Sequence, residues 1–129
     1  MTNSFIYDFY SNIAPPDPIP NKLRIVGICD TTAELAWDKP GEVGRDDFYY
    51  SINRTNPDTS EEIMVNANYI DNRDVVAFKV TGLVPKTTYT FSVCVHNGVS
   101  QFDQIHKKLR VVTQQATTRQ GSMLLYTII

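Results

Sequence analysis

A chain of 129 residues with 42% hydrophobic and 20% charged side chains has the length and apolar content of one ordinary domain with short tails. The 12 basic and 14 acidic side chains leave a net charge of −2, so nucleic acid has little electrostatic reason to bind. No run of like charges is long enough to act as a charged interaction tail.

Residues 1–15 read as an arm. Met1 to Ile13 holds no lysine or arginine and mixes aromatics with Asn3, Asp8 and Asn12. It therefore lacks the positive start and unbroken apolar centre of a secretory signal. Phe5, Tyr7 and Phe9 alternate as a short strand would, with nothing to fix a partner. Pro15-Pro16-Asp17-Pro18-Ile19-Pro20 is extended and polyproline-like, because each proline locks φ and removes a backbone donor. Such a segment marks where a module begins.

From Asn21 the chain becomes a series of short strands separated by turn signals. Leu23, Ile25 and Ile28 supply the first apolar set, and Asp30-Thr31-Thr32 turns the chain. Ala33, Leu35 and Trp37 then alternate with Thr32, Glu34 and Ala36, the pattern of a half-buried strand. Lys39-Pro40-Gly41-Glu42 breaks it. Phe48, Tyr50 and Ile52 make a third strand, with Tyr49, Ser51 and Asn53 on its other face. Asn56-Pro57-Asp58 is a turn, and Ile63-Met64-Val65 a brief edge strand before a polar loop through Asp71-Asn72-Arg73-Asp74. Val76, Phe78 and Val80 alternate again. After Asn97-Gly98 comes a long polar loop, and Leu109, Val111 and Thr113 make the last strand.

The strongest signal is Gly82-Leu83-Val84-Pro85-Lys86-Thr87-Thr88-Tyr89-Thr90-Phe91-Ser92-Val93. A core leucine, a proline two residues on and a tyrosine four beyond it describe a corner between two sheets. Leu83 plugs the core, Pro85 stiffens the turn and Tyr89 folds its hydroxyl back onto upstream backbone. Tyr89, Phe91, Val93 and Val95 then share one strand face, with Thr90, Ser92, Cys94 and His96 on the other. Seven strands, no helical period and no internal repeat give an all-β fold, a seven-stranded antiparallel sandwich.

The stretch Leu23 to Trp37, the Phe48/Tyr50/Ile52 alternation and the corner motif together resemble a fibronectin type III domain over roughly residues 16–118. In that resemblance Trp37, Leu83 and Tyr89 are structural core residues of an immunoglobulin-like sandwich. The resemblance implies a non-catalytic protein–protein interaction or spacer module, as in cell-surface receptors and adhesion proteins, extracellular and part of a longer chain. Intracellular scaffold domains of the same fold, in the cytoplasm, are the alternative. Three features depart from the family pattern: the long polar loop Asn97 to Lys108, Cys94 on an outer face, and both tails.

The loop Asn97 to His106 is expected to project from one end, where recognition residues concentrate on a rigid scaffold. Asn97, Gly98, Phe102 and Ile105 are its candidate partner contacts. Phe102 and Ile105 serve either as apolar anchors or as caps folded back on the core. Gly41 to Asp47 adds a second loop at that end; its Gly44-Arg45-Asp46 is not the adhesion tripeptide of the family and receives no such role. Asn53-Arg54-Thr55 is an N-glycosylation acceptor pattern, of consequence only in the secretory pathway.

No catalytic, metal or cofactor site is expected. Cys94 and His96 share a strand face, but one cysteine and one histidine do not complete a zinc site. As a nucleophilic pair they lack a pocket, an orienting acid and oxyanion donors, and are read as solvent-facing. Cys29 belongs to the other sheet, so both thiols are expected to be free. The expected partner is another protein, not a small-molecule substrate. A membrane enters only through a segment outside this sequence. Residues 119–129 form an apolar tail whose Met123 to Ile129 is far shorter than the ~20 residues of a membrane-spanning helix. It is read as the start of something longer rather than as a docked strand.

Overall fold

The computed structural model describes residues 14–66 and 74–121. The alternating arm (Phe5, Tyr7, Phe9), the Asp71-Asn72-Arg73 segment and the Met123 to Ile129 tail lie outside the described residues.

Seven strands form: β1 (Arg24–Ile28), β2 (Ala33–Asp38), β3 (Tyr49–Thr55), β4 (Ser60–Asn66), β5 (Val75–Val80), β6 (Thr88–His96) and β7 (Val111–Thr117). They pair antiparallel in two sheets, β1-β2-β5 and β4-β3-β6-β7. Alternation decides which residues meet between the sheets. Ala33, Leu35 and Trp37 of β2 and Val76 and Val80 of β5 face Tyr50, Ile52, Val65, Phe91, Val93 and Val95 of the other sheet, all buried.

Ile25 and Ile28 are three residues apart, a spacing that simple alternation would place on opposite faces. A register shift between Ile25 and Gly27 in the β1–β2 pairing adds the missing residue. Both isoleucines therefore pack against the core.

The corner closes as its residues require. The Val84 N–H donates to the Tyr89 hydroxyl at 2.9 Å, and Leu83 is buried beneath it. Thr118, just past β7, ties the chain's exit to this corner. Its hydroxyl donates to the Val84 carbonyl at 2.7 Å and accepts from the Thr87 N–H at 2.9 Å.

Trp37 is buried with its ring edge-on to Tyr50, centroids 5.1 Å apart at 70°. Burial pushes the Tyr50 phenol up to about 12. Neither the indole N–H nor the phenol reaches a hydrogen-bond partner among the described residues. A buried hydroxyl without a partner costs about 1–3 kcal/mol, so Tyr50→Phe is expected to leave the chain as stable or up to about 1 kcal/mol more stable. A chemical-denaturation midpoint checks this, and a clear loss of stability would show that the hydroxyl is bonded.

Three expectations need correction. Phe48 precedes β3 instead of belonging to it, though it stays buried and edge-on to Tyr50 at 6.0 Å. Leu109 is not in the last strand, which begins at Val111. The long polar loop has helical structure: two 3₁₀ helices, Ser100–Phe102 and Gln104–Arg110.

Candidate functional site

Three segments meet at the end of the sandwich where β6 finishes: residues 14–18, 41–47 and 97–110. Asn97 joins them. Its side-chain amide donates to the carbonyls of Ala14 at 2.6 Å and Val43 at 3.0 Å, and its Oδ1 accepts from the Val99 N–H at 3.0 Å. Its backbone and the Ser100 hydroxyl exchange two further bonds. Asn97 is 4% exposed. It is thus a fastening of this end and not a contact for a partner, which corrects its sequence assignment.

Gly44 makes this junction possible, and Gly98 lies close against a neighbouring side chain. Gly44 has φ of +78°, and a Cβ there would overlap the Ala14 carbonyl. A Cβ on Gly98 would overlap the Asp47 carboxylate. That carboxylate accepts from the Gly98 N–H at 3.2 Å and from Arg45 Nε at 3.0 Å. Arg45 first, and the Gly98 amide after it, hold Asp47 below the ordinary carboxylate range.

The 3₁₀ segment is latched from inside. Arg110, 4% exposed, donates to Asp103 Oδ2 at 3.1 Å, to the Asp103 carbonyl at 2.8 Å and to the Ser100 carbonyl at 3.4 Å. The second Asp103 oxygen meets His106 Nδ1 at 2.8 Å. With this latch turned inward, the apolar side chains turn out: Phe102 is 79% exposed, Ile105 88% and Leu109 59%. The reading in which Phe102 and Ile105 cap the core is overturned, because Arg110 and Asp103 occupy the inward positions. Leu109 is exposed on the same 3₁₀ helix as Ile105, and Phe102 on the 3₁₀ helix before it.

Beneath this segment lies the outer face of β3 and β6. Cys94 and His96 do share it, but Cys94 is buried and His96 half-buried, so they are not solvent-facing. A pocket of about 240 Å³ lined by Tyr49, Cys94, His96, Ser100, Lys107 and Arg110 separates the strands from the cover. His96 Nε2 sits 2.7 Å from the Ser51 hydroxyl, and its ring stacks on Tyr49 at 4.9 Å. Ser51 is buried, and His96 Nδ1 has no hydrogen-bond partner among the described residues, so no orienting acid completes a triad. Burial pushes the Cys94 thiol up, with Arg110 and Lys107 opposing, which disfavours the thiolate a nucleophile needs.

Burial also lowers His96 below its ordinary 6.5, Lys107 and Arg110 lower it further and Glu62 of β4 opposes. The unfolded chain therefore takes up this proton first as pH falls. Stability from neutral His96 is complete above pH 6.5 and is lost as pH drops through the lower folded value. The lowered carboxylates Asp38, Asp47 and Asp103 act separately, below their ordinary 3.8. Denaturation midpoints measured on either side of pH 6.5 are expected to fall on the acid side in the wild type and to change less in His96→Gln.

The remaining assigned residues are dispersed. Trp37, Leu83 and Tyr89 lie in the core, and Gly98 is exposed beside Asp47. Asn53 is half-buried in the middle of β3, opposite Glu62 of β4 and Ser92 of β6. Both cysteines are free, Cys29 exposed and Cys94 buried.

Two antiparallel sheets of three and four strands, closed by a tyrosine corner, define an immunoglobulin-like β-sandwich. The family model of the fibronectin type III domain matches residues 18–111, and the chain belongs to that family. Among solved structures, it is similar to a computer-based redesign of a β-sandwich protein, with 18% identity and a TM-score of 0.54. The match covers 84% of this chain and 97% of the other and concerns the fold. No curated protein matches the sequence.

Proposed function

We propose that this domain is a non-catalytic module of a longer cell-surface protein, presenting the exposed side chains of Phe102, Ile105 and Leu109 to another protein. As a fibronectin type III domain it is a protein-interaction or spacer module, and domains of this family are in general non-catalytic. The carrying observation is the exposure of these side chains. Three large apolar side chains stand exposed on a segment fixed by a buried arginine. Apolar anchors held rigid before contact lose little conformational entropy on binding, which suits a recognition surface.

A photo-crosslinking residue at position 105 is expected to give discrete protein adducts, while one at the exposed Val26 of β1 does not. Equal, diffuse labelling from both positions would refute recognition by this segment. The exposed free thiol of Cys29 supports a second reading, an intracellular scaffold domain, because exposed thiols persist in reducing compartments. A membrane-impermeant maleimide separates the two. Labelling of Cys29 on intact cells carrying the full-length protein supports the surface reading, and labelling only after permeabilisation supports the intracellular one.

A further inference from the structure

The space beneath the 3₁₀ segment has an unusual lining. Tyr49, Cys94 and His96 form its floor on β3 and β6, and Gln104, Lys107 and Arg110 belong to the segment that covers it. No carboxylate and no purely hydrocarbon side chain lines it. Arg110 shares its charge with Asp103, whereas the exposed Lys107 has no ion pair among the described residues. Both cations act on His96 and on Cys94, so their charge is felt at the floor of the pocket. A space of about 240 Å³ far exceeds what a single water needs, and it admits a polyatomic ion with part of its hydration.

We infer that this pocket binds a small free oxyanion of the phosphate or sulfate class, held between Lys107 and Arg110 of the cover and His96 of β6. Charge-assisted bonds from the two cations replace the water that such an ion sheds. His96 adds a ring nitrogen without a hydrogen-bond partner among the described residues, since its Nε2 is taken by Ser51. Enclosure between strands and cover favours a free ion over a charged group carried on another chain. Phe102, Ile105 and Leu109 do not line the pocket, so the ion and a protein partner occupy different surfaces of one segment.

Protonation of His96 is coupled to this site. The groups facing its ring are Tyr49 and Ser51 of β3, Glu62 of β4, Cys94 of β6, and Lys107 and Arg110 of the cover. The two cations oppose a charged imidazole, and Glu62 favours it. A bound anion offsets the cations, so ion and imidazolium favour one another, and binding tightens as pH falls below 6.5.

Sulfate is the probe for the test, because its own charge does not change near neutral pH. It is titrated into the full chain at an ionic strength held constant with chloride, while NMR follows the imidazole signals of His96 and His106. The His96 signals are expected to move and saturate, and those of His106, which does not line the pocket, to stay in place. Lys107→Gln should weaken binding about tenfold, through loss of one charge-assisted contact. Lys108→Gln makes the same change in net charge beside it but does not line the pocket, and should leave binding unchanged. Both lysines are exposed, and unchanged melting in chloride will show that each replacement keeps the fold. His96→Gln should still bind sulfate but lose the tightening below pH 6.5. Shifts that never saturate, shifts that chloride alone reproduces, or equal losses from the two lysine replacements would reduce the site to diffuse attraction and overturn it. Binding that tightens as pH rises would overturn it as well.

Discussion

Trp37→Ala is expected to lower the stability of the chain by about 3–5 kcal/mol, the sum of lost transfer energy and the cavity left between the sheets. The indole is buried against Tyr50, and its strand is paired on both sides, with Ala33, Leu35 and Trp37 all facing inward. Neither sheet can close the gap without breaking ladder pairs, so relaxation recovers little of the loss. Denaturant midpoints with an unchanged slope would express this as a pure stability change. Trp37→Phe should recover part of the loss, because it keeps an aromatic ring and removes the unpartnered indole N–H. A Trp37→Ala chain that melts like the wild type would mean the ring is not the filling of the core.

Asn97→Ala is expected to cost on the order of 3 kcal/mol, for a different reason. No large apolar volume is removed. Instead the Ala14 and Val43 carbonyls lose their donor and the Val99 N–H loses its acceptor; an unmet group costs about 1–3 kcal/mol when fully buried, and these half-buried ones fall toward the low end. The damage should be confined to one end. Hydrogen exchange is expected to rise in residues 14–18, 41–47 and 97–103 and to stay unchanged in β2 and β5. Asn97→Asp should be worse, since it sets a carboxylate against two carbonyl oxygens. Uniform deprotection of both sheets would show that Asn97 supports the fold as a whole rather than the junction.

The sandwich was legible because its information is local. Ala33, Leu35 and Trp37 state their face by period two, and Leu83, Pro85 and Tyr89 state a corner by spacing alone. What alternation cannot say is what covers a face. Alternation puts Cys94 and His96 on the outer side of β6, but their burial comes from a segment that folds back over them after the strand has ended. The 3₁₀ helices carry no clear signature in the sequence, because seven residues are too few to establish a helical period and Leu109 continues smoothly into the apolar Val111. Arg110 is equally silent in the sequence. Nothing beside it in sequence announces that its guanidinium turns inward to Asp103, seven residues back.

Ala14 is fastened at one end of the sandwich and Arg119 at the other, where its N–H bonds the Cys29 carbonyl at 2.9 Å. Between those points β6 runs nine residues, close to 30 Å at the rise of an extended strand. Tension applied through the two ends of the domain therefore acts along the strands, not across them. The bonds between β1 and β2, and between β6 and β7, would be loaded side by side and yield together. The small ties at Asn97 and Arg119 would let go first, lengthening the chain slightly before the sheets carry any pull.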